Sequence, residues 1–92
     1  MNKREFKAGD VVSIRPSREF PFRRYGFVSD LQSDDAACVL EPMQELGFWR
    51  LWPEWHEKRS LRVIKDVKRI RDPEMRSVLQ LFISRRRVVR NG

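Results

Sequence analysis

Arg15, Arg18, Arg23 and Arg24 surround a short stretch that also holds Phe20, Phe22 and Tyr25. Interleaved guanidinium groups and aromatic rings match the two surfaces a nucleic-acid strand offers, phosphates for the arginines and flat base faces for the rings. Further on, Lys65, Lys68, Arg69 and Arg71 flank Val67 and Ile70, and Arg85, Arg86, Arg87 and Arg90 follow; brought together they would form one cationic surface. Trp49, Trp52 and Trp55 recur every three residues. On a strand, Trp49 and Trp52 face opposite sides. Trp55 stands among Pro53, Glu54, His56 and Glu57, so it is the tryptophan expected to be exposed and able to stack a base or a cation. The candidate nucleic-acid-binding residues are therefore Arg18, Arg23, Arg24, Lys68, Arg69, Arg85, Arg86 and Arg87, with Trp55. Each has a plainer alternative: Phe20 and Phe22 plugging an open barrel end, tryptophans as core, and Val67 and Ile70 anchoring a connector whose basic groups face water.

Acid–base chemistry has thinner support. Glu54, His56 and Glu57 lie close in sequence, but no nucleophile, orienting partner or enclosed pocket accompanies them. A lone histidine among scattered carboxylates does not have metal-ligand spacing. Cys38 is the single cysteine, which excludes a disulfide framework or a cysteine zinc site within one chain, and in its apolar run it reads as a buried small hydrophobe. The expectation is a non-enzymatic protein with no catalytic or metal-binding residues, no cofactor and no small-molecule substrate.

Charge agrees with a polyanionic partner. The 92 residues carry a net charge of +7, distributed unevenly. Residues 1–30 hold 7 basic and 4 acidic groups, residues 31–57 hold 1 and 6, and residues 58–92 hold 12 and 3. An acidic middle thus separates two basic ends, as expected of a phosphate-backbone binder. Hydrophobic residues at 40% and 10 aromatics are too many for a disordered tail. No uncharged run approaches the roughly 20 apolar residues of a spanning helix, and no apolar run follows the N-terminal charges. The chain reads as cytoplasmic, without a membrane partner.

The elements that must position these groups change character along the chain. Lys7-Ala8-Gly9-Asp10 forms a turn into a strand at Val11–Arg15 that stops at Pro16. A second strand covers about 24–31, and Gln32-Ser33-Asp34-Asp35 turns it into a third at 36–41, closed by Pro42. Phe48–Trp52 alternates as a fourth strand ending at Pro53, and Leu61–Ile64 is a short fifth strand or a 3₁₀-flanked edge piece. Asp72 then offers an N-cap, Pro73 suits the first helical position, and Met75, Val78, Leu79, Phe82 and Ile83 make one apolar stripe. A single domain over 1–92 is expected: a barrel at 6–65, a basic connector at 66–72, a helix at 73–87 and a tail at 88–92. The fold class is mainly β, a small antiparallel barrel of about five strands with a C-terminal amphipathic helix.

Lys7-Ala8-Gly9-Asp10-Val11-Val12-Ser13-Ile14, then Tyr25-Gly26-Phe27-Val28, then Ala37-Cys38-Val39-Leu40 resembles the SH3-like small barrels, specifically the bacterial KOW and Tudor types. Gly26 matches the glycine of the KOW pattern, and Trp52-Pro53 precedes the closing segment. The loop after the first strand departs from that pattern, being basic and without glycine. The resemblance covers about residues 6–65 and implies a barrel used for RNA, DNA or protein contacts. The expected function is nucleic-acid binding through the basic loop and the basic C-terminal third. The alternative is a protein-interaction or homodimerisation module that uses the apolar helix stripe or the tryptophan segment.

Overall fold

The computed structural model describes residues 5–91, with side chains described as far as Arg85. The turn at Lys7–Asp10 forms as its residues require. The Asp10 amide donates to the Lys7 carbonyl at 2.9 Å, and Asp10 Oδ2 accepts from the Lys7 amide at 2.9 Å. Gly9 supplies the left-handed conformation the turn needs, at φ 97°. From there β1 (Val11–Ile14), β2 (Arg24–Gln32), β3 (Ala36–Glu45), β4 (Phe48–Glu57) and β5 (Leu61–Val63) follow, with α1 (Pro73–Asn91) last. All pairings are antiparallel, in the order β4-β3-β2-β1-β5. The described residues are therefore mainly β, with five antiparallel strands and one C-terminal α-helix. The sheet stays open, because β5 is three residues long and pairs with β1 alone, leaving β4 and β5 as the two edges.

Two prolines expected to end strands do not. β3 runs through Pro42 to Glu45, and β4 runs through Pro53 to Glu57. Past Leu40 the register of β3 continues with β4 only, and β4 is itself an edge, so each strand has a side on which a missing N–H breaks no ladder bond. The two strands join at Leu46-Gly47, both left-handed at φ 52° and 81°, which makes the two-residue turn that matches strand twist. Between β2 and β3 the register slips after Val28, so β2 carries extra residues before Gln32. Gly26 is required where these strands approach. A Cβ there would lie 2.7 Å from the Leu40 carbonyl oxygen and 2.6 Å from Val39 Cγ1.

Strand alternation divides the core between two faces. Phe6, Val12, Ile14, Val28, Ala37, Val39 and Leu61 pack on one. Val11, Phe27, Ile70, Val78, Leu79 and Phe82 pack on the other, flanked by Tyr25, Leu40, Trp49 and Leu51. The helix begins where its cap predicts, with Asp72 Oδ1 accepting from the amides of Glu74 at 3.0 Å and Met75 at 3.2 Å. Its stripe lies on the second face, with Leu79 fully buried and the Phe82 ring edge-on to Phe27 at 6.4 Å. Burial of a side chain such as Leu79 contributes about 1.5–3 kcal/mol, which a lone helix in water lacks. The connector before it is a 3₁₀ turn at Val67–Arg69, anchored by half-buried Val67 and buried Ile70.

Candidate nucleic-acid interface

Adjacent arginines at the start of β2 are sent to opposite faces of the sheet. Arg24 takes the face of Gly26 and Val28. Its guanidinium Nη1 lies 3.2 Å from Oε1 of Glu41, a residue 5% exposed, and Oε2 of the same carboxylate lies 2.9 Å from His56 Nε2. Burying a carboxylate is tolerable here because a guanidinium and an imidazole both donate to it. The outer face of the guanidinium carries the Phe20 ring, 4.2 Å from its centroid. Arg24 is thus held by the fold, as is His56, whereas Glu54 and Glu57 are exposed.

Arg23 takes the other face, that of Ser13 and Val11, and donates to Ser13 Oγ at 3.3 Å. Ser13 pairs with Tyr25 on one side and Arg62 on the other, so Arg62 shares that face. Arg15, two residues past Ser13, is fixed by its amide donating to the Ser60 carbonyl at 2.9 Å. Arg59 arrives on the 3₁₀ turn at Lys58–Ser60. These four arginines line one depression of about 140 Å³ with Ser13, Ser60 and Leu61. Among the described residues only Arg59 of the four pairs with a carboxylate, that of Glu57. Arg15, Arg23 and Arg62 line it with no carboxylate partner among the described residues, around a space several times the roughly 30 Å³ share of a water molecule. Guanidinium groups so placed have the donor geometry for bidentate, charge-assisted hydrogen bonds to a phosphate-sized anion.

The depression joins the basic loop to the basic C-terminal third, but through Arg59 and Arg62 rather than the residues singled out there. Lys68 and Arg69 are exposed on the connector, and Arg85 is exposed with its guanidinium 5.7 Å above the Phe82 ring. Arg18 is exposed in the loop. The side chains of Arg86 and Arg87 lie outside the described residues. Trp55 is 55% exposed opposite Cys38, on the other face of β4 from Trp52, which is 48% exposed opposite Glu41. Trp49 packs beneath the helix. Phe20 and Phe22 do not plug the sheet; they are 41% and 59% exposed. Sequence reasoning passed over Arg59 and Arg62, although Arg62 alternates out of Leu61-Arg62-Val63 on the side opposite the buried Leu61.

No group of three or more histidine, cysteine, aspartate or glutamate side chains among the described residues is arranged to hold a metal ion. No helix among them is long and apolar enough to cross a membrane. Comparison of the chain with models of known protein families, with curated proteins and with solved structures finds no match.

Proposed function

We propose that this chain is a non-enzymatic nucleic-acid-binding module that grips the phosphate backbone through the depression lined by Arg15, Arg23, Arg59 and Arg62. The observation that carries the reading is that four arginines from three separate segments line one depression, with one carboxylate partner among the described residues. Solubility alone asks for dispersed charge, whereas repulsion among clustered arginines is offset when an anion sits between them. Lys68, Arg69 and Arg85 extend the positive field and speed encounter without fixing register. The meander order and the close approach at Gly26 support the SH3-like resemblance as part of this reading. The test is a salt titration of oligonucleotide binding by fluorescence anisotropy. Four neutralised phosphates give a log–log slope of roughly −3 on a single strand and −3.6 on a duplex. Binding indifferent to salt, or none at low salt, overturns the proposal.

A second reading, protein interaction, is favoured by β4 alone. This ten-residue edge strand exposes Phe48, Trp52 and Trp55 between Glu45, Glu54 and Glu57. The helix stripe is spent on the chain's own core, so a partner would add to this acidic, aromatic edge. A shift to dimer mass in sedimentation at rising concentration, lost on Trp52→Ala, would favour it.

A further inference from the structure

Resting on the phosphate-binding reading, we infer that the ligand is single-stranded nucleic acid, with an unstacked base against the Phe20–Phe22 ring pair while its backbone occupies the arginine depression. The loop carrying these rings is bounded in sequence by two arginines of the depression, Arg15 before it and Arg23 after it, and its Phe20 ring stands on the Arg24 side, so a strand seated in the depression reaches the rings by crossing the end of the sheet at Arg23 and Arg24. The rings are exposed, yet they are ordered by several independent contacts. The Phe20 carbonyl accepts from the Ser17 amide at 2.9 Å, and the Phe20 amide donates to Ser17 Oγ at 3.3 Å. The Arg24 guanidinium backs the Phe20 ring and is itself fixed by Glu41, which His56 holds from the other side. Phe22 then meets Phe20 edge-on, centroids 6.2 Å apart at 84°. Trp52, opposite Glu41 across the β3–β4 ladder, adds a third exposed ring on the flank of the same ion pair.

Exposed apolar rings carry an unfavourable hydration cost that a stacking partner removes, and rings already held in place lose little further entropy on binding. A duplex keeps its base faces inside its own stack and offers these rings only phosphates and sugars. A single strand offers a π-face at every base, so ring stacking beside a cationic groove selects for it and tolerates any sequence. Base–ring stacking is worth roughly 5- to 150-fold in affinity per base.

The experiment compares labelled oligo-dT with the matching dA·dT duplex, each titrated against wild type and Phe22→Ala. Phe22 is exposed and supports no core contact, so circular dichroism of the variant should match wild type. Wild type should bind the single strand more tightly. Phe22→Ala should lower single-strand affinity at least 5-fold and leave duplex affinity and the salt slope unchanged. Salt-dependent binding that favours the duplex, or single-strand affinity that Phe22→Ala leaves intact, overturns this inference while the phosphate cradle stands. Absence of salt-dependent binding to either probe overturns the cradle, and this inference with it.

Discussion

The helix-covered face of the sheet and the loop between β1 and β2 each pair an arginine with a phenylalanine ring, in inverse order. On the covered face Phe82 is buried against Phe27, and Arg85 lies exposed outside it. In the loop Arg24 is the inner member, tied to buried Glu41, and Phe20 lies outside. The first order is the ordinary solution of folding, with apolar area removed from water and the charge left in it. The second spends an ion pair to hold an aromatic ring at the surface. One region takes its ring out of water and the other holds its ring in it, and substitutions should separate them.

The largest separation is expected between the two rings. Phe82→Ala empties a packed site and should destabilise the chain by about 3–5 kcal/mol, a large share of a small domain's margin. Phe20→Ala, from a ring 41% exposed, should cost under about 1 kcal/mol, because little apolar burial is lost. Paired urea melts measure both; equal costs would erase the distinction. Next comes the ion pair. Glu41→Gln leaves the Arg24 guanidinium without its counter-charge and should cost about 1–3 kcal/mol, with Phe20 loosened in side-chain NMR. If the Phe20 resonances stay as dispersed as in wild type, the ion pair does not order the ring. The smallest effect is at the exposed arginine. Arg85→Ala removes only a surface cation–π contact at 5.7 Å and should change stability by at most about 0.5 kcal/mol in the same melts.

What was legible in the sequence was local. The Lys7–Asp10 turn, the β2–β3 hairpin and the Asp72-capped helix each depend on residues within a few positions of one another, and each formed. The prolines misled because Pro42 and Pro53 end a strand only where a neighbour needs their N–H, and the strand order that decides this is a long-range property. The site divides the same way. Interleaved arginines and aromatics singled out the loop, and there the structure brings Arg24 against Phe20 and Phe20 against Phe22. The separate fates of Arg23 and Arg24 follow from alternation once the strand start is known. The meeting of Arg15 and Arg23 with Arg59 and Arg62 depends on β1 pairing with β5 across nearly the whole sheet domain, a contact no local pattern announces.

A phosphate grip confined to the depression differs measurably from attraction by basic charge at large. Two double variants, each losing two positive charges, tell them apart: Arg15→Ala with Arg62→Ala, and Lys68→Ala with Arg69→Ala. Oligo-dT binding is followed by anisotropy across a salt series for each, beside wild type. The first pair should flatten the log–log slope by about 1.4 and weaken binding strongly, while the second should leave the slope nearly unchanged. Equal flattening by both pairs would contradict this, placing the bound phosphates on a diffuse cationic surface instead of in the arginine cradle.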